Sequence, residues 1–249
     1  MNTEAHPSTD LAAQQFWLDQ MGPASALNSW VFSQFSPALG RKILEVGCGT
    51  GNFTRLLGES GAEVLGVELE PTFVEVAKKA TRHLPRVRVE QSNVLDRLWR
   101  PTFDTIVLLD VIEHIEDDVA TLSTLREALL PGGRIIIKVP ALPAIFGTLD
   151  VAVGHYRRYT TATLSNSLRS AGFVGIKQHA FNAVGILGWW LNGKVLRRTT
   201  PPAAQLKSFD MLVPIIKALD WIAPPGVGLS LVAIAEVPAQ RGSRAEPTH

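Results

Sequence analysis

The chain has 249 residues, 46% of them hydrophobic, and a formal net charge of +1. That length and apolar content suit one folded domain with a sizeable core and exclude disorder over most of the chain. The near-neutral balance argues against a broad nucleic-acid surface, and the single cysteine, Cys48, excludes an internal disulfide.

The start of the chain lacks a basic stretch followed by an apolar run, so no secretion signal is expected. No uncharged apolar run is long enough to span a bilayer, and the longest, Ala180 to Leu191, falls short. The expectation is a cytoplasmic protein, with peripheral membrane contact left open.

In chain order, residues 1–9 and 238–249 are polar, Pro-containing ends expected to be loose. Asp10–Met21 and Ser25–Leu39 read as amphipathic helices broken at Gly22-Pro23. From Arg41 onwards strands and helices alternate. Strands are predicted at Ile43–Val46, Glu63–Val67, Val87–Glu90, Phe103–Leu109 and Arg134–Val139. The helices between them fall at Asn52–Ser60, Pro71–Arg82 and Asp117–Leu130. Pro71 suits a first helical turn, where a missing N–H costs nothing. Such alternation implies a parallel sheet with helices on both faces. Beyond Pro140 a helix is expected over Thr160–Ala171 and a sixth strand over Phe173–His179. Two helices, Asn182–Arg198 and Ala203–Ile222, then precede a seventh strand, Val227–Glu236. The expected organisation is an N-terminal helical segment over the site (1–40), a main domain (41–237) with a helical cap at about 182–226, and a flexible tail (238–249).

The most informative segment is Glu45-Val46-Gly47-Cys48-Gly49-Thr50-Gly51-Asn52. A strand that ends in alternate glycines and opens a helix lets a ligand approach the backbone and leaves N–H groups free to meet it. The dinucleotide fingerprint G-x-G-x-x-G would place its third glycine on Asn52. The spacing here is G-x-G-x-G, which favours S-adenosylmethionine over NAD. Glu68 ends the second strand roughly 20 residues further on, where a carboxylate can accept both ribose hydroxyls. Asn93 and Val94 follow the third strand and suit an adenine ring, although Asn is also a common turn residue. Leu109-Asp110-Val111-Ile112-Glu113-His114 sets two acids and an imidazole at the end of the fourth strand.

Taken together, Glu45–Gly51, Val67-Glu68, Phe103-Asp104, Ile112-Glu113-His114 and Leu129-Leu130-Pro131-Gly132-Gly133-Arg134 resemble the class I S-adenosylmethionine-dependent methyltransferases of the small-molecule type, related to ubiquinone-pathway O-methyltransferases. The resemblance implies a Rossmann-like, doubly wound, seven-stranded, mostly parallel α/β sheet with helices on both faces and a helical cap. It also implies S-adenosylmethionine as cofactor and S-adenosylhomocysteine as product. In such a site Gly47, Gly49 and Gly51, with Glu45 and Cys48 in the same turn, would face the methionine part. Glu68, with Leu69 beside it, would hold the ribose. Asn93 and Val94 would hold the adenine, and Leu109 and Asp110 would sit near the sulfonium and the amino group. Asn93 departs from the Asp of many members, but an amide oxygen can still accept the adenine amino hydrogen.

The acceptor side is expected after the fifth strand, in Gly154-His155-Tyr156-Arg157-Arg158-Tyr159. A hydroxyl acceptor must lose a proton, and His155, with His114 as the second candidate, can take it. Tyr156, Arg157, Tyr159 and Trp189 are candidate substrate residues. The alternatives are a loop-bonding His155 and rings that pack on the core. No metal is assigned. Asp110, Glu113, His114 and a later histidine resemble the metal set of some methyltransferases, so a divalent ion is an alternative, not the favoured one. Trp189-Trp190 beside Arg197-Arg198 suggests a hydrophobic acceptor or a membrane-surface contact, against a plain packing helix. The expected partner is a small hydrophobic acceptor, not nucleic acid, and the protein is a monomer or a homodimer. O-methylation is the leading expectation; N- or C-methylation of a small metabolite and a non-catalytic cofactor-binding subunit remain as alternatives, and an NAD-dependent oxidoreductase is disfavoured by the glycine spacing.

Overall fold

The computed structural model describes residues 24–239 together with Phe16, Gln20 and Gly22. The expected Asp10–Met21 helix lies outside the described residues except for Phe16 and Gln20, which are helical. The expected loose ends also lie outside them, save Pro238 and Ala239.

Seven strands form one sheet: β1 Lys42–Val46, β2 Glu63–Glu68, β3 Val87–Gln91, β4 Phe103–Leu109, β5 Leu129–Pro140, β6 Val174–Phe181 and β7 Ser230–Glu236. Their order is β3-β2-β1-β4-β5-β7-β6. All pairs are parallel except those of β7, which runs antiparallel between β5 and β6. The chain moves outwards from β1 to β3 and then crosses back to β4. The crevice between the carboxyl ends of β1 and β4 is therefore the switch point where ligands bind in open α/β sheets. Register aligns those ends, with Val46 opposite both Val67 and Leu108.

The helices are α1 Ser25–Ser33, α2 Asn52–Glu59, α3 Pro71–Thr81, α4 Asp118–Arg126, α5 Thr148–Val153, α6 Thr161–Ser170, α7 Ala183–Trp190 and α8 Ala203–Trp221. Because side chains alternate along a strand, the buried apolar runs feed two cores. Leu44, Ile106, Leu108, Ile135 and Ile137 face Leu122 and Leu125 of α4 and Leu164 and Leu168 of α6. Ile43, Val107, Ile136 and Val232 face Trp30 of α1, Leu57 of α2, and Val213 and Ile216 of α8.

Several boundaries depart from the periodicity. The helix expected through Leu130 ends at Arg126, because the amides of Thr102 and Phe103 both bond Ala128 O and pull Leu129 into register with Phe103. Pro131-Gly132-Gly133 then becomes an irregularity within β5. The Ser25–Leu39 helix stops at Ser33, ahead of a 3-10 turn over Ser36–Ala38 that has proline in its first turn. The Asn182–Arg198 helix changes to a π turn at Leu191–Val195, where buried Asn192 bonds Gly188 O and Gln205. Helix α5 was not expected. The two helices expected as a cap do lie between β6 and β7, but α8 covers a sheet face beside α1. Of the expected N-terminal cover, α1 likewise packs on that face.

Candidate functional site

The glycine turn is built by backbone conformation. Gly47, Gly49 and Gly51 have φ of 67°, 51° and 85°, in the left-handed region that favours glycine. Space enforces the choice at Gly51, where a Cβ would lie 2.9 Å from Ala77 Cα. Cys48 packs with Val74, Ala77 and Val89, and burial pushes its thiol up, so it is an inert filler. Glu68 ties the turn to β2. Its Oε2 accepts from Gly49 N at 2.9 Å, and its Oε1 accepts from Leu69 N at 2.7 Å and Glu70 N at 3.1 Å. Each carboxylate oxygen has two lone pairs, so one acceptor site remains, on Oε2, for a ribose hydroxyl. Glu45 is fully buried at the end of β1, and its Oε2 has no hydrogen-bond partner among the described residues. Burial, with the nearby Glu68 charge adding to it, pushes its carboxyl up to about 8. A buried carboxylate with one unpartnered oxygen at this strand end fits a bound amino group.

The adenine candidates sit at the next strand end. Asn93 Oδ1 accepts from Leu95 N at 3.0 Å, forming a local turn. Val94 is buried in the core cluster, and its carbonyl accepts from Trp99 Nε1. Leu69 is exposed beside Glu68. At the end of β4, Leu109 precedes Asp110, which has φ of 55° and accepts from Lys138 Nζ of β5. Lys138 was not anticipated, although it stands alone as a charge in Ile135–Val139.

The segment expected to border the acceptor contains a buried polar cluster that the sequence showed only in part. Glu113 is fully buried, and neither carboxylate oxygen has a hydrogen-bond partner among the described residues. Burial, reinforced by the Asp110 charge, raises its carboxyl well above the usual range. The rings of His114 and His155 meet edge to face at 4.7 Å. Burial, aided by His155, lowers His114 to about 4, so its ring is neutral near pH 7. His155 Nδ1 lies 3.0 Å from Asp150 Oδ1, and its Nε2 lies 3.9 Å from Glu113 Oε1.

Asp150, which the sequence reading missed, is the hub. Its oxygens meet His155 Nδ1, Arg158 Nε at 2.7 Å, Gly147 N at 2.9 Å and Trp189 Nε1 at 3.1 Å. Burial favours the neutral acid, but these donors outweigh it and hold the carboxyl below its usual value. The signal for Asp150 was present: it is the one acidic or basic residue between Lys138 and His155.

Two candidate substrate residues are reassigned. Tyr159 is 1% exposed, and its hydroxyl donates to Asp118 Oδ2 at 2.8 Å, so it is a core residue that touches no acceptor. Trp189 gives its N–H to Asp150 and lies under the Arg158 guanidinium, so it braces the hub. Arg157 is partly exposed and donates to Glu116 O at 2.6 Å, leaving it at the rim. Tyr156 and His114 line a cleft of about 300 Å³ with Leu95, Ile115, Glu116, Asp117, Ala120 and Thr121, and the His155 ring packs edge to face on His114.

The donor set of Glu113, His114 and His155 can bring one ligand atom from each within 4.8 Å of the others. With both Glu113 oxygens unpartnered, these residues fit a divalent cation as well as a protonated carboxyl.

Comparison with known proteins agrees with this geometry. Residues 44–135 match the family described as methyltransferase domain. The mitochondrial ubiquinone biosynthesis O-methyltransferase of Schizosaccharomyces pombe is 32% identical over 130 residues, covering 51% of this chain and 47% of that protein. A tRNA U34 carboxymethyltransferase of Haemophilus influenzae is 27% identical over 158 residues, covering 59% and 49%. The chain thus spans about half the length of both. Phosphoethanolamine N-methyltransferase 2 of Haemonchus contortus, solved with S-adenosyl-L-methionine, shares the fold with a TM-score of 0.60 at 20% identity, over 85% of this chain and 52% of that one. Residues 44–135 thus match a methyltransferase domain, and the chain shares the fold of a methyltransferase solved with S-adenosyl-L-methionine.

Proposed function

We propose that the protein transfers a methyl group from S-adenosylmethionine to a hydroxyl of a small hydrophobic or aromatic acceptor, free or lipid-linked. The observation that carries this reading is the Asp150–His155 pair beside the β4 end. S-Adenosylmethionine supplies a methyl group on a sulfonium and leaves as S-adenosylhomocysteine. The glycine turn and Glu45 would bind its amino acid part, and Glu68 its ribose. Asp150 keeps a proton on Nδ1 of His155 and leaves Nε2 as the acceptor. His155 would then hold and remove the acceptor's hydroxyl proton, while the bound cofactor would supply the methyl group. His114, lowered to about 4, is the weaker base and lines the pocket beside Tyr156. The O-methyltransferase name of the 32% identical relative supports a hydroxyl acceptor.

The test begins with calorimetric titration of S-adenosylmethionine and of NAD, followed by labelled-methyl transfer to a panel of phenols, catechols and prenylated phenols. His155→Ala should lower turnover about 100-fold and leave cofactor affinity within twofold. Normal turnover removes His155 as base, and binding of NAD alone overturns the whole reading.

A second reading has one favouring observation, the two unpartnered Glu113 oxygens. Glu113, His114 and His155 would hold a divalent ion, which would orient and acidify neighbouring hydroxyls. Activity that survives chelation supports His155 as base. Activity lost on chelation and restored by magnesium supports the ion instead.

A further inference from the structure

Helices α7 and α8 form an antiparallel hairpin pinned at both ends. At one end Asp220 of α8 accepts from Asn182 N and Ala183 N, at 3.0 and 2.6 Å. At the other, Gln205 Oε1 accepts from Asn192 Nδ2 at 3.0 Å. Helix α8 buries Val213 and Ile216 against the sheet. The opposite stripe, where polar residues are expected, carries exposed Met211, Leu212, Ile215, Leu219 and Ile222. Of the twenty exposed large hydrophobics among the described residues, twelve fall between residues 184 and 222. They include Trp190, 44% exposed, and Trp221, 88% exposed.

Charge on the hairpin is sorted by side. Residues 182–226 hold two acids, Asp210 and Asp220. Both are turned inwards onto backbone amides, Asp210 accepting from Leu27 N at 2.7 Å. The basic residues Lys194, Arg197, Arg198, Lys207 and Lys217 are all exposed. No described carboxylate lies within ion-pair distance of these five.

We infer that this hairpin is a docking face for an anionic lipid surface. An apolar stripe flanked by lysines and arginines, with tryptophans at its margin, matches the boundary between acyl chains and anionic headgroups. A second copy fits less well, because a two-fold contact would set the same cations against one another. No described helix is long and apolar enough to cross a membrane, so the contact is peripheral. Trp189, on α7, also reaches Asp150, which places the docked hairpin directly against the acceptor side. The inference goes beyond methyl transfer and is read by partition alone.

The experiment is co-sedimentation of the full chain with phosphatidylcholine vesicles, with and without phosphatidylglycerol, at low and at 0.5 M salt. Binding is expected on anionic vesicles and should fall with salt. Ile215→Ser/Leu219→Ser and Lys207→Glu/Lys217→Glu, all at exposed positions, should each lower partition about tenfold or more, with cofactor binding retained as the check on folding. Absent binding by the wild type, or unchanged partition in both variants, overturns the inference. So does a lipid-free dimer that Ile215→Ser/Leu219→Ser dissociates without any vesicle affinity to lose.

Discussion

Glu68 and Glu45 are both carboxylates at strand ends, yet the structure treats them oppositely. Glu68 satisfies the N–H of Gly49 in the facing turn and those of Leu69 and Glu70 that follow it. Glu68→Ala removes those bonds together with the proposed ribose acceptor. It should weaken S-adenosylmethionine binding about 10- to 100-fold by calorimetry, and unchanged affinity would sink the ribose assignment. Glu45 is buried, and the loss of solvation, only partly offset by Thr54, raises its folded-state pKa from 4.5 to about 8. The folded protein then holds this proton more tightly than the unfolded chain does. Its contribution is complete below pH 4.5 and is lost progressively as pH rises to about 8. Glu45→Gln mimics the protonated form, so the ligand-free variant should gain on the wild type across that window, by about 4–5 kcal/mol at its upper end. A stability gap independent of pH in denaturant titrations would contradict this origin. His114 works in the opposite sense: its pKa of about 4 withdraws stability as pH falls from 6.5 towards 4.

Among elements, the β1–α2 turn has the least freedom. Gly51 combines a left-handed φ with a contact that leaves no room for a Cβ against α3. Gly51→Ala should cost about 2 kcal/mol in chemical unfolding, from the backbone conformation and the displaced α3. Cofactor affinity should fall with it, and a variant as stable as the wild type would show that the turn relaxes freely. The segment from α5 to the loop before α6 teaches a different lesson. Helix α5 has six residues, too few for hydrophobic periodicity to register. Its existence depends on Gly147 N and Asp150 closing its first turn and on Gly193 packing against Gly147. His155 was legible as a candidate base, but the Asp150 that orients it became visible only once α5 brought it within 3.0 Å.

At the scale of the whole molecule, the N-terminal and C-terminal thirds are joined through one face of the sheet. Trp30 of α1 meets Phe181 of β6 edge to face at 5.5 Å, in the same cluster as Val213 and Ile216 of α8. Trp30→Ala should cost about 3–5 kcal/mol, measured by denaturant unfolding with unchanged slope. A loss under 1 kcal/mol would mean that α1 is not part of the cooperative core. The same arrangement explains why α8 carries two apolar stripes. One closes the sheet face, and the other is the outward stripe assigned above to lipid.

The parallel sheet, the glycine turn and Glu68 were readable in the residues alone because each depends on local signals. These are apolar strands of fixed length, glycines where φ must be positive, and a carboxylate at a strand end. Side chains that the fold brings together from distant positions were not readable. Tyr159 looked like a substrate residue until Asp118, distant in sequence, took its hydroxyl in the core. Trp189 looked like an acceptor contact until it was found bracing Asp150 from another helix. The expected cap likewise proved to cover a sheet face through α8. Sequence periodicity records that a helix has an apolar stripe, but which surface meets that stripe is decided by how the elements pack.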